Sequence, residues 1–211
     1  MYTDSQIDTF NRFAQVSRET LIILKKYEKI LKKANESVNL IGNSTINEIW
    51  IRHFLDSYQV IDLIDKNDNM IVDLGSGAGL PGMIIAICAK DKNLRLKVKL
   101  VEKSKKKAKF LNETIKNLNL NVEVINRDIT EKNFNLTDKV YVARAFKPLR
   151  KILELIHNKT ENLSKFFILM GKTGKNELLE ATKSWDIKYK QTTSITNSDS
   201  IILEINGLKK K

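Results

Sequence analysis

The sequence predicts an α/β protein: a mostly parallel sheet with helices on both faces, preceded by a helical extension. Three observations carry this. From residue 70 onward, seven short β-prone runs appear, the earlier ones alternating with helical segments, the pattern of a parallel sheet. The first run leads directly into "DLGSGAGLPG", which holds four of the chain's eight glycines. Residues 1–65 contain no such alternation and carry apolar residues at helical spacing. The expected organisation is an N-terminal helical extension over 1–65 packed on an α/β core over 66–211, together one globular unit.

Length and composition bound the rest. A chain of 211 residues, 42% hydrophobic and 29% charged, suits one ordinary domain with a real core. It has no apolar run of about 18 residues, and its first ten lack the basic-then-apolar layout of a secretory signal. The lone Cys88 excludes an internal disulfide framework, and in "IIAICAK" it reads as core packing. The expectation is a cytoplasmic monomer that needs no membrane. A net charge of +12 and a pI near 9.6 are the footprint of a polyphosphate partner, although a Lys- and Asn-rich genome would leave a similar mark.

In chain order, Ile7 and Phe10 begin an apolar stripe that Leu21, Leu24, Tyr27 and Leu31 continue, with Ser17 as a cap between two helices. Thr45 and Glu48 have capping-box spacing and predict a helix carrying Ile46, Ile49, Trp50 and Phe54. The strands follow: "MIVDLG", "LKVKLVEK", "NVEVINRD", "KVYVARAF", "KFFILMG", "IKYKQTTSI" and "IILEING", with helices at 81–90, 104–118 and 148–160. Only "TNSDS" separates the last two strands, so they read as a hairpin placing an antiparallel strand at the end of the sheet.

The glycine loop stands where open parallel sheets bind ligands, at a strand's carboxyl end. Read as Gly77-x-Gly79-x-x-Gly82 it matches the dinucleotide fingerprint, a weak signal alone. Read as Asp73-x-Gly75-x-Gly77-x-Gly79 it matches the S-adenosylmethionine loop of Rossmann-like methyltransferases. The second reading also uses Asp73, whose carboxylate suits the ammonium of a methionine moiety. It needs no large second domain. Glu102, at the end of the second strand, is placed to accept from a ribose diol under either reading. Asp128 and Ile129, after the third strand, are candidate adenine contacts, although Asp also begins turns.

With these positions in hand, the chain resembles the bacterial 16S rRNA (guanine-N7) methyltransferases, once called glucose-inhibited division protein B. The carriers are "VNLIG", "RHFLDS", "DLGSGAGLPG", "ARAF" and "FILMGK", in order and at matching spacing from about residue 20 to the C-terminus. The resemblance implies a Rossmann-like core with a seven-stranded, mostly parallel sheet and an antiparallel last strand. It implies adenosylmethionine as methyl donor and a guanine in the 530-loop hairpin of 16S rRNA, free or in the small ribosomal subunit, as acceptor. Carried over, the cofactor contacts fall on Gly75, Leu80, Asp128, Ile129 and Arg144. Arg144 is also the candidate for a catalytic contribution, and Arg52, Lys147 and Lys172 are candidate RNA contacts. Where the family usually has a lysine before the glycine after strand five, this chain has Met170, with Lys172 two places on.

Guanine N7 has an available lone pair and no proton to lose, so the chemistry asks for alignment rather than a general base. The sequence lacks the Asn/Asp-Pro-Pro-Tyr/Phe motif of amino-methylating enzymes and the Pro-Cys pair of the cytosine C5 type. His53 and Asp56 are spaced to share a helix face and are either structural or functional; His157 reads as surface. No metal-ligand cluster is apparent, and none is expected. Two other functions remain open on the sequence: an adenosylmethionine enzyme with a different acceptor, and a non-catalytic RNA-binding assembly protein. Ribonuclease sensitivity of the activity and binding of labelled cofactor separate the three.

Overall fold

The computed structural model describes residues 2–137, 140–144, 147–160 and 163–211. The chain begins with two helices, α1 (Tyr2–Ala14) and α2 (Arg18–Asn35). Ser17 caps the second, its Oγ accepting the Thr20 N–H at 3.3 Å. Leu24, Tyr27 and Leu31, spaced along one face of α2, are fully buried.

The capping box expected at Thr45 does not form. The Thr45 hydroxyl instead donates to the Gly42 carbonyl at 2.8 Å and meets His53 Nε2 at 2.8 Å. The segment is a 3₁₀ turn over Asn43–Glu48, then a wide π-helical turn over Trp50–Leu55, then the short helix α3 (Asp56–Tyr58). Its aromatic side chains settle into one cluster. Phe10 meets Trp50 and Tyr58 edge-on at 5.3 and 5.7 Å, and Trp50 meets Phe54 at 5.1 Å. The buried Trp50 Nε1–H finds Glu28 Oε2 at 2.9 Å.

The core alternates as expected: β1 (Met70–Leu74), α4 (Gly82–Cys88), β2 (Lys97–Val101), α5 (Lys105–Leu118), β3 (Val122–Ile125), β4 (Val140–Arg144), α6 (Leu149–Lys159), β5 (Lys165–Met170), α7 (Gly174–Thr182), β6 (Trp185–Thr193) and β7 (Ile201–Lys210). The seven strands lie in the order β3-β2-β1-β4-β5-β7-β6. The first five are parallel, and β7 is antiparallel to both β5 and β6. The antiparallel strand is thus one place in from the edge, not at the end of the sheet. β6 takes the edge because β7, with its unbroken apolar start Ile201–Leu203, is the strand fit to be covered on both sides.

Strand order reverses between β1 and β4, which opens a crevice at their carboxyl ends. The two faces of the sheet carry separate cores. On β1 the period of two sends Ile71 to one and Val72 and Leu74 to the other. Cys88 is fully buried in the first, and burial pushes its thiol well above the usual range. His157 is exposed, its ring edge-on to Trp185 at 5.3 Å. Among the described residues, no helix is long and apolar enough to cross a membrane, and no three His, Cys, Asp or Glu side chains group as metal ligands.

Candidate functional site

The loop after β1 is held from behind by β2. The N–H groups of Gly75 and Ser76 both donate to the Val101 carbonyl, at 2.9 and 3.1 Å. Glu102, the next residue, accepts the Gly77 N–H on Oε2 at 2.8 Å and the Ser104 N–H on Oε1 at 2.7 Å. Gly75, Gly77 and Gly79 all have positive φ, at 74°, 57° and 92°. Their surroundings differ. A Cβ on Gly77 would meet only the Gly75 carbonyl oxygen, 3.8 Å away, so its open side faces solvent-accessible space. A Cβ on Gly79 would run into Met83 and stand 3.0 Å from Leu111 Cδ2 and 3.2 Å from the Tyr27 hydroxyl. One on Gly82 would run into Leu100 and the Asp73 carboxylate. One motif therefore does two jobs: its first half borders open space and its second half packs helix α4 onto the sheet.

Asp73 belongs to the second job. The alternation along β1 points it at the start of α4, where Oδ2 accepts the Gly82 N–H at 2.9 Å. It is fully buried, Oδ1 has no partner among the described residues, and burial pushes its carboxyl up to about 7.

A cavity of about 190 Å³ lies over the first half of the loop. Five of the residues expected to bind a cofactor line it: Gly75, Gly77, Glu102, Asp128 and Ile129. Asp73, Gly79 and Leu80 do not; the Leu80 side chain is packed in the core, 4% exposed. Asp128 also begins a turn, with Oδ1 accepting from the Thr130 N–H and hydroxyl at 2.9 and 2.8 Å, and these bonds hold its carboxyl below the usual range. Lys103, Lys107 and Arg127, none of them a site candidate from sequence, also line the cavity.

Arg144 stands apart from that cavity, in a second one of about 280 Å³ with Arg52, His53, Asp56, Met170 and Thr196. Its Nη1 donates to the Arg52 carbonyl at 3.1 Å and to Asp56 Oδ2 at 3.4 Å, and its Nη2 meets His53 Nδ1 at 2.7 Å. Burial, then Arg144 and Arg52, push the His53 imidazole down to about 3. Asp56 Oδ1 gathers Gln59 Nε2, the Ser194 hydroxyl and the Thr196 hydroxyl at 3.0, 3.3 and 3.2 Å. The β6–β7 connection, read from sequence as the bend of a hairpin, is thereby tied to the helical extension at the mouth of the site. A third cavity, about 380 Å³, joins the other two: it shares Lys147 with the first and Leu169, Met170 and Gly171 with the second. The result is one trench along the carboxyl ends of β2, β1, β4 and β5. Lys172 is exposed and lines none of the three. Ala145 and Phe146 of "ARAF" lie outside the described residues.

A solved structure of an S-adenosylmethionine-dependent methyltransferase from Aquifex aeolicus superposes with a TM-score of 0.53, at 14% identity over 86% of this chain and 97% of that one. The sheet order, the loop and this likeness define a Rossmann-like methyltransferase fold. At the level of sequence, the model of the family described as rRNA small subunit methyltransferase G matches residues 21–204. A relative of that name from Pelagibacter ubique is 40% identical over 198 residues, 93% of this chain and 92% of its own length. Another from Rickettsia rickettsii is 37% identical over 93% of this chain and 98% of its own. The chain belongs to the rRNA small subunit methyltransferase G family.

Proposed function

We propose that this protein transfers the methyl group of S-adenosylmethionine to N7 of a guanine in the 530-loop hairpin of 16S rRNA. The observation that carries the proposal is the trench: a nucleoside-sized end that presents the carboxylates of Glu102 and Asp128, and an end that presents the Arg144 guanidinium, on the carboxyl edge of one sheet. The smaller cavity lies below the range of about 300–1,000 Å³ for whole drug-sized ligands, so it suits one end of the cofactor. Glu102 retains lone pairs for a ribose diol, Ile129 offers an apolar face to adenine, and the open side of Gly77 admits the chain that leads to the sulfonium.

Bound adenosylmethionine supplies an electrophilic methyl group, and the protein has to align an acceptor with it. His53 does not serve as a base: burial beside Arg144 and Arg52 lowers its proton affinity, and its Nδ1 is occupied by Arg144. That agrees with an acceptor that has no proton to lose. Arg144 offers a fixed guanidinium in the second cavity, where it positions the cofactor's methionine end or an RNA phosphate. Arg52 and Lys147, which line the trench, extend the positive track for RNA, and Lys172 adds an exposed cation beyond it. Purified protein should move label from methyl-labelled adenosylmethionine into small-subunit rRNA, and ribonuclease should remove the labelled product. Label entering protein or a small molecule instead would overturn the assignment of the acceptor.

A further inference from the structure

We infer that His53 is a positioning residue, held as the Nε2–H tautomer by Thr45 so that its Nδ1 lone pair aims the guanidinium of Arg144. This rests on the role given to Arg144 in the proposed function.

The chain of donors and acceptors allows one consistent direction. The Thr45 hydroxyl has one proton and spends it on the Gly42 carbonyl, at 2.8 Å. Its oxygen, 2.8 Å from His53 Nε2, is then the acceptor, so Nε2 carries the ring proton. Nδ1 is left bare, and 2.7 Å from it stands Arg144 Nη2, which can only donate. An imidazolium there would set a proton against a guanidinium. The charged and titratable groups facing the ring agree with a neutral imidazole. Arg144 reaches it from β4, while Arg52 and Asp56 come from its own segment, and Asp56 spends its Oδ2 on Arg144. The burial of His53, 8% exposed, acts in the same direction.

The grip on Arg144 is three-sided. Two hydrogens of Nη1 go to the Arg52 carbonyl and to Asp56, and one of Nη2 goes to His53. Nε–H and the second Nη2–H are left without a partner among the described residues, and Arg144 lines the cavity. Losing the His53 arm frees the plane of the fork to rotate about its remaining contacts on Nη1. The wide π-helical turn over Trp50–Leu55 sets up this grip, since it presents the Arg52 carbonyl and the His53 ring to the same guanidinium. In an ordinary capped helix from Thr45 its oxygen would accept a backbone N–H instead of the His53 Nε2–H.

The test is a double-mutant cycle in single-turnover methyl transfer, with cofactor affinity and melting temperature measured on each variant. His53→Ala should slow transfer by about tenfold to a hundredfold, the loss expected for a misplaced group, with cofactor affinity changed less than about threefold. His53→Asn, whose Oδ1 takes the place of Nδ1, should recover most of the rate. In an Arg144→Ala background, His53→Ala should cost nothing further. Additive losses would mean that His53 acts independently of Arg144 and would overturn the inference, as would full activity in His53→Ala. Normal activity in Arg144→Ala would instead overturn the role of Arg144 itself. Should His53→Ala fail to fold, nitrogen-15 NMR of the wild-type ring decides: an Nε2–H tautomer that does not titrate between pH 5 and 8 supports the inference. A proton on Nδ1, or titration near 6.5, contradicts it.

Discussion

Gly77 and Gly79 stand two residues apart, both with positive φ, and substitution should separate them. Gly77→Val puts a branched side chain into the cavity at a backbone strain of about 1–2 kcal/mol, so the protein should fold but lose cofactor binding. Gly79→Ala adds to similar strain a clash with Met83 and close approaches to Leu111 and Tyr27, and should lower the melting temperature clearly more. Titration calorimetry and melting curves on both variants check this; equal losses of stability would contradict it. Asp73 makes a pH-dependent prediction. Its folded value of about 7 lies above the ordinary 3.8, so it favours the folded state fully below 3.8 and loses that contribution as pH rises through 7. Asp73→Asn keeps an acceptor for the Gly82 N–H and cannot ionise. Its melting temperature, measured without cofactor, should therefore gain on the wild type between pH 4 and pH 8. A gap that closes or reverses with rising pH would mean that the ionised carboxylate is stabilised where it stands.

At the scale of elements, the helical extension serves the loop as a prop. The buried Tyr27 of α2 donates its hydroxyl to the Ala78 carbonyl at 2.5 Å and stacks on Phe54 with 5.4 Å between ring centres. Tyr27→Phe leaves the stack and removes that bond, at a cost of about 0.5–1.5 kcal/mol. It should weaken cofactor binding while leaving the melting transition cooperative; unchanged affinity would remove the extension from the account of the site. These elements also mark what could be read from the sequence. The strand–helix alternation, the Ser17 cap and the loop after β1 are local signals, and each appears where its residues predicted. That Glu102, Asp128 and Ile129 line one cavity was legible because strand ends in a parallel sheet converge. The grip on Arg144 was not. Asp56 meets Ser194 and Thr196 across about 140 residues of chain, and nothing in "TSITNSDS" distinguishes a clamp from a turn. Thr45 misled for a physical reason: its hydroxyl has better partners in Gly42 and His53 than in a helix cap.

For the whole molecule, the charge of +12 has a direct consequence. If Lys and Arg side chains hold RNA phosphates, each contact releases counterions, and affinity should fall with salt at a log–log slope of about −0.7 to −0.9 per phosphate. A slope near zero would assign the charge to composition alone. The proposed function puts Arg144 where cofactor and RNA come together, so Arg144→Ala should lose methyl transfer by about a hundredfold, the scale seen when one preorganised donor is removed from a reacting centre. Its stability should fall by about 1–3 kcal/mol, because Asp56 keeps Gln59, Ser194 and Thr196 as donors. Arg144→Lys should recover little, since an ammonium cannot span the Arg52 carbonyl, Asp56 and His53 at once.

The most direct test of the account is to map N7-methylguanine along 16S rRNA after incubation with adenosylmethionine and either the wild-type protein or Arg144→Ala. A single modified guanine in the 530-loop hairpin is expected with the wild type, reduced about a hundredfold at equal time with the variant. Methylation at another atom or another loop, or an equal signal from Arg144→Ala, would contradict it.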